Sequence, residues 1–321
     1  MSKANTTKKP FLKNSNIYQQ LISFAALALL FIFFSIVSPN FFTVNNFFTV
    51  ALQTSIIAFI GIGVTFVIIT GGIDLGIGSV LALSGVVCGI TMRAGMSPVI
   101  AVIFGLLAGT FCGLCNAFLV THGGLPPFIA TLGMMGIARG FTLYITGASP
   151  VIGIHESFEI VGGNLFWKIP TPVVLMFVLA LLAGFILKKT KLGRYTYATG
   201  SNEEASRLSG LNITLVKFFV YAFSGALAAV AGIVLTSRLV TAQPTAGVSY
   251  ELDAIASSVI GGTSLMGGAG TITGTMIGAF IIGILRNGLN MLGVSYFVQQ
   301  MIIGFVIIGA VYIDQIKNRK K

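Results

Sequence analysis

Charge is what this chain has least of. Its 321 residues carry 19 Lys and Arg and 8 Asp and Glu, so charged side chains make up 8% where soluble domains average roughly 25%. Too little polar surface remains to wrap such a chain in water, which excludes a soluble globule. Histidine is nearly as scarce: only His122 and His155 occur, both near expected loops. With no carboxylate or cysteine cluster at metal-ligand spacing, neither a zinc site nor a His-based triad can be assembled. No catalytic residue, metal or cofactor is therefore expected. The Gly-x4-Gly-Lys-Ser/Thr phosphate loop is also missing, so any coupling to ATP must come from a partner. The three cysteines, Cys88, Cys112 and Cys115, fall inside apolar runs, where thiols behave as small hydrophobes and no disulfide framework is implied.

What the chain does have is 55% hydrophobic residues, 40 glycines and a mean hydropathy of +0.96. Its uncharged runs are long and continuous rather than alternating, which is the mark of membrane helices and not of a membrane barrel. The net charge of +11 sits in small clusters at the ends of apolar runs, so it reads as topology signals and not as a nucleic-acid face. Spans are expected near 18 to 37, 50 to 70, 74 to 92, 98 to 120, 126 to 145, 171 to 187 and 217 to 238. The first ends in Ser38-Pro39-Asn40-Phe41 without a small-residue cleavage pattern, and is expected to be kept.

Residues 254 to 285 are 32 uncharged positions with eight glycines, too long for one span and barely enough for two. The clusters Gly261-Gly262 and Gly267-Gly268-Ala269-Gly270 predict a short helix, a tight reversal and a second helix from about Thr271 to Asn290. A last span is expected at 296 to 313. Lys3, Lys8, Lys9 and Lys13 mark the first tail (1–17) as cytoplasmic. Lys188, Lys189, Lys191 and Arg194 mark the central loop (188–213), and Lys317, Arg319, Lys320 and Lys321 the last tail (314–321). Ten spans satisfy all three. The expected fold is thus an all-α polytopic membrane protein, one domain over 1–321, whose two four-helix blocks (50 to 145 and 217 to 313) enter the bilayer in opposite senses. Gly71-Gly72-Ile73-Asp74-Leu75 echoes Gly261-Gly262-Thr263-Ser264-Leu265, although not at equivalent helices.

Spans rich in Ser, Thr, Asn and Gly and nearly free of charge suit transport of a neutral polar solute better than a selective ion channel. Asp74, at a glycine-weakened junction, reads as a carboxylate at a helix N-terminus, as part of a gate, or as a carrier of a coupling ion in a secondary symporter. A non-transporting scaffold is the third class, since small residues also pack helices. Arg139 lies six residues, about 9 Å, from the expected outer end of its span, and is expected to snorkel or pair. In the cytoplasmic loop, Ser201 or Asn202 suits an N-cap, Glu203 and Glu204 suit the positive end of a helix dipole, and Gly210 is a stop signal. A helix over 203 to 209 follows, either resting on the membrane surface or docking into a partner.

Glu204-Ala205-Ser206-x-x-x-Gly210 resembles the Glu-Ala-Ala-x-x-x-Gly signature with which permease subunits of ATP-binding-cassette (ABC) importers present a coupling helix, Ser206 replacing the second Ala. Over roughly residues 20 to 315 the chain resembles the monosaccharide permeases of that class, and among them the ribose-carrying members. The likeness is carried by Ser38-Pro39-Asn40-Phe41-Phe42-Thr43, Gly71-Gly72-Ile73-Asp74-Leu75, Pro127-Phe128-Ile129-Ala130-Thr131-Leu132, Leu192-Gly193-Arg194-Tyr195 and above all Ala242-Gln243-Pro244-Thr245-Ala246-Gly247. Tyr250-Glu251-Leu252-Asp253-Ala254-Ile255-Ala256 and Gly261-Gly262-Thr263-Ser264-Leu265 extend it.

The resemblance implies a homodimer in the bacterial cytoplasmic (inner) membrane, a separate ATPase subunit, an extracytoplasmic ribose-binding protein, and a solute path along the dimer axis. It implies coupling through Asn202, Glu203, Glu204, Ala205, Arg207, Leu208 and Gly210. Docking of the binding protein would fall to Glu156, Glu159, Lys168, Gln243, Glu251 and Asp253. Gating or helix-breaking would involve Gly71, Gly72, Asp74, Gly261, Gly262, Gly267 and Gly268.

Overall fold

The computed structural model describes residues 15–166 and 169–319; Lys168 and the lysines of the first tail lie outside the described residues. Thirteen α-helices, a 3-10 turn and one small hairpin make up the described chain. In order, α1 is Ser15–Val37, α2 Val44–Ile69, α3 Ile77–Arg93, α4 Pro98–Thr121, α5 Pro127–Thr146 and α6 Glu159–Gly162. They are followed by α7 Thr171–Lys189, α8 Lys191–Ser201, α9 Glu203–Leu208, α10 Ile213–Leu239, α11 Tyr250–Ile260, α12 Ile272–Met291 and α13 Tyr296–Arg319.

Among the described residues seven helices are long and apolar enough to cross a bilayer: α1, α2, α4, α5, α7, α10 and α12. The apolar stretches of α3 and α13 are shorter. α11 has 11 residues, about 16 Å at ~1.5 Å per residue, half of a hydrocarbon core. The short helix, reversal and second helix expected at 254 to 285 are present, but α11 begins earlier, at Tyr250. Glu251 and Asp253 therefore sit in its first turn rather than in a loop.

α2 is apolar around its whole circumference, and nearly all of it from Ala51 to Ile69 is buried, as expected of a helix placed at the centre. α10, α12, α11 and α7 pack around it. Glycine permits the tightest of these contacts. On α10, Gly225 abuts Gly109 of α4 so closely that a Cβ there would stand 2.2 Å from the Gly109 carbonyl oxygen. Side chains cannot yield at a backbone-to-backbone contact, so Gly225→Val is expected to part α4 from α10, at about 1–3 kcal/mol or more. Loss of monodisperse protein after detergent extraction checks this; an unchanged melting temperature would contradict it.

Hydroxyl groups join the helices where glycine brings them close. Thr65 of α2 shares hydrogen bonds with Thr275 of α12 (2.6 Å) and Ser258 of α11 (3.0 Å), and Ser258 also donates to the Gly61 carbonyl (3.2 Å). These Ser and Thr residues are fully buried. They glue α2, α11 and α12 to one another.

Candidate functional site

Two ends of the bundle carry the residues singled out by the sequence. At one end lie the C-terminus of α2, the N-termini of α10 and α12, the 261–271 turn, and α8 and α9. α9 (Glu203–Leu208) begins as expected: Asn202 caps it, its Oδ1 accepting from the Ala205 N–H at 2.9 Å. Gly210 follows with φ +81°, a left-handed stop at low cost only for glycine. Glu204, Ala205, Arg207 and Leu208 are exposed, and Glu204 accepts from Arg207 at 2.7 Å. Glu203 does something different, accepting from Lys217 Nζ of α10 at 2.7 Å and so tying the knob to a central helix.

Between α7 and α9 the sequence reading left out a second helix, α8. Thr190 caps it, its side chain accepting from the Gly193 N–H, a signal of the same kind as Asn202 that went unused. α8 is the seat of α9. Its Gly200 meets Ile69 of α2 and Gly268 of the 261–271 turn backbone to backbone, leaving no room for a Cβ. The Gly268 N–H donates to the Ile69 carbonyl (2.9 Å), and Tyr197 of α8 donates to the Gly270 carbonyl (2.7 Å). Gly71 (φ +79°), Gly262, Gly267 and Gly268 all lie in the left-handed region, so these turns suit glycine alone. Gly72 is crowded by the Tyr221 hydroxyl, and Gly261 packs onto the Gly274 backbone. Thus the two glycine turns, far apart in sequence, meet each other and the seat of α9.

Asp74 is buried beside this junction. Its Oδ1 accepts from the Gly76 N–H (3.0 Å) and its Oδ2 from Ser224 Oγ of α10 (2.9 Å). On the same segment, Thr131 Oγ1 of α5 donates to the Ile73 carbonyl and accepts from the Leu75 N–H. The carboxylate therefore latches the α2–α3 turn to α10; it turns the chain into α3 and does not cap α3 from outside the bundle.

The opposite end holds the residues expected to dock a partner. Val151 pairs with Ala242 in an isolated bridge, and the Gly162 N–H donates to Ser237 Oγ (2.8 Å), which itself donates to the Phe158 carbonyl. The 146–170 and 240–250 loops are thereby joined. Glu156 and Glu159 are exposed on this surface, while Gln243 and Glu251 are half-buried. Asp253 is not on it: at 1% exposed it accepts two hydrogen bonds from Arg286 Nη2 of α12 (2.9 and 2.7 Å). A lone carboxylate in that interior would be costly, and a partner cation explains its position. Arg139 does not snorkel either. It turns inward, donating to the Pro244 carbonyl (2.6 Å) and the Gly78 carbonyl (3.4 Å), so it anchors the 240–250 loop to α5 and α3.

Below these loops opens a cavity of about 500 Å3, bounded by α2, α10, α11, α12 and the start of α13. Gln53, Arg238, Tyr250, Arg286, Asn290 and Gln299 contribute to its wall; none of the six was assigned a site role from the sequence, whereas Gln243 and Asp253, expected to dock a partner, also line it. Its floor, at Ile57 and Gly283, is about 12–20 Å below the helix ends at ~1.5 Å per residue.

The family described as branched-chain amino acid transport system / permease component matches residues 46–311. The ribose import permease protein of Bacillus subtilis (strain 168) is 45% identical over 304 residues, 94% of this chain and 94% of that protein. The protein of the same description from Escherichia coli (strain K12) is 46% identical over 300 residues, 92% and 94% of the two chains. The D-allose transport system permease protein of the same E. coli strain is 41% identical over 314 residues, 97% and 96%. With such coverage the chain belongs to this family of transport-system permease components.

Proposed function

We propose that this chain is the membrane-spanning subunit of an ABC importer that carries a monosaccharide, D-ribose first, inward across the bacterial cytoplasmic membrane by alternating access. It does no chemistry itself; a partner ATPase supplies the energy, and an extracytoplasmic ribose-binding protein delivers the sugar. Relatives named for ribose and allose at 41–46% identity favour a sugar over the amino acids of the broader family description. Two copies form the translocation unit. Ten helices, α11 as a half-length member, cross or enter the membrane in two inverted blocks, with both termini cytoplasmic. α9 then faces the cytoplasm. The joined outer loops, with Glu156, Glu159, Lys168, Gln243 and Glu251, face the binding protein.

The observation that carries this reading is the seating of α9. A force on its exposed face passes through Glu203–Lys217 to α10 and through α8 to both glycine turns, the places where the backbone bends most freely. Asp74, with both oxygens engaged, acts as a latch in that linkage.

Glu204→Lys reverses the charge at the exposed face without disturbing a buried contact. ATP-driven uptake of labelled ribose, in cells supplied with the ATPase and binding protein and treated with an ionophore, is expected to fall at least tenfold at unchanged membrane abundance. Unchanged uptake would sink the coupling assignment.

A further inference from the structure

The cavity beneath the outer loops has a chemistry that its neighbours do not use up. Arg286 spends one nitrogen on Asp253, and its Nε, buried, has no hydrogen-bond partner. Arg238, at the end of α10, is half-buried and forms no hydrogen bond or ion pair among the described residues. Gln53, Asn290 and Gln299 present amides, each able to donate and accept, although Gln299 commits one donor to the Val294 carbonyl (2.9 Å). Isoleucine and leucine side chains, Ile56, Ile57 and Leu235, complete the wall. The volume lies within the ~300–1,000 Å3 of small-molecule sites.

We infer that this cavity is a staging site within each protomer for a neutral polyhydroxylated solute, a free aldopentose, held by Gln53, Arg238, Arg286 and Asn290 before it moves inward. The inference rests on the sugar-importer reading. Adjacent hydroxyls of a sugar both donate and accept, which matches amides beside free guanidinium donors, and its C–H edges match the aliphatic wall. A zwitterionic amino acid fits worse, because its ammonium group needs a free carboxylate, and Asp253, the one carboxylate among the described lining residues, is already held by Arg286. Staging at this depth accounts for the polar residues that the hydroxyl seams elsewhere do not: the Ser and Thr groups are spent on packing, whereas these donors face open space.

The test uses the full permease–ATPase complex in nanodiscs, without nucleotide or binding protein, and D-ribose as the probe. Saturation-transfer NMR is expected to show transfer to the ribose ring protons, falling at least fivefold in Gln53→Leu and in Asn290→Leu, the latter at an exposed position that folding tolerates. L-Leucine is expected to show none. In parallel, ATP-driven ribose uptake with the binding protein present should fall at least fivefold in both variants. Wild-type uptake with no transfer, with transfer unaltered by either variant, or with transfer to leucine instead overturns the staging site and leaves the importer standing. Failure of the wild-type complex to take up ribose with its ATPase and binding protein overturns the importer reading and the staging site with it.

Discussion

Gly200→Ala is expected to abolish ATP-driven sugar uptake, at least tenfold, while the protein still reaches the membrane. The added Cβ would stand 1.7 Å from the Ile69 carbonyl oxygen and 2.6 Å from the Gly268 nitrogen. Both are backbone atoms, one at the end of the central helix and one in a turn already fixed by its own hydrogen bond to Ile69. Neither can rotate away, so α8 must lift off the turns, at about 1–3 kcal/mol for such overpacking. The bundle itself does not depend on that contact, since α2, α10 and α12 pack along their whole lengths. On the coupling proposed for α9, what fails is transmission: α9 would still bind its partner, but its movement would no longer reach Gly71 and Gly267 together. Stimulated ATP hydrolysis without uptake is the expected signature. Ser201→Ala, next in the chain and exposed, removes only a hydroxyl bonded to the Tyr197 carbonyl and should leave uptake within about twofold. Wild-type uptake in Gly200→Ala would show that α8 is no transmission element.

Why Gly200 escaped the sequence is instructive. Signals that act over one helical turn were legible: Asn202 as a cap, Gly210 as a stop, the glycine clusters as a reversal, and the apolar runs as helices. Thr190 belonged to the same class, and reading it as a cap would have revealed α8. Gly200, by contrast, is defined by residues over 60 positions away on either side, and nothing local distinguishes it from a glycine facing open space such as Gly184. Charge was misread for the same reason. Asp253, 33 positions from Arg286, looks like a loop charge until α11 and α12 are laid side by side. For Arg139, expected to snorkel or pair, the sequence could not choose between the two, because its acceptors are carbonyls, which leave no trace in composition. The hydroxyls of the spans could serve either packing or a solute path, and only the tertiary contacts separate Thr65 and Ser258, locked between helices, from Gln53 and Asn290, facing the cavity.

Arg286→Leu is expected to destabilise the permease strongly. Asp253 accepts from Arg286 alone among the described side chains, and it is buried between α11 and α12. Removing the guanidinium leaves a carboxylate without its counter-charge, a loss of about 3–5 kcal/mol for a buried pair broken on one side. Asp253→Leu should cost less, because the Arg286 side chain, 18% exposed, can turn into the cavity and find water. The double variant Asp253→Leu/Arg286→Leu removes both desolvation penalties and is expected to recover most of the stability lost in Arg286→Leu, since apolar replacement of a buried pair is often close to neutral. Thermal unfolding of the four proteins in nanodiscs makes the cycle measurable, and the order expected is Arg286→Leu lowest, Asp253→Leu intermediate and the double variant nearer wild type. A double variant less stable than either single one would mean that the two charges act independently. Function should separate from stability in the same set: the restored double variant still lacks the Arg286 donor in the cavity wall, so its ribose uptake should stay below wild type although its fold has recovered.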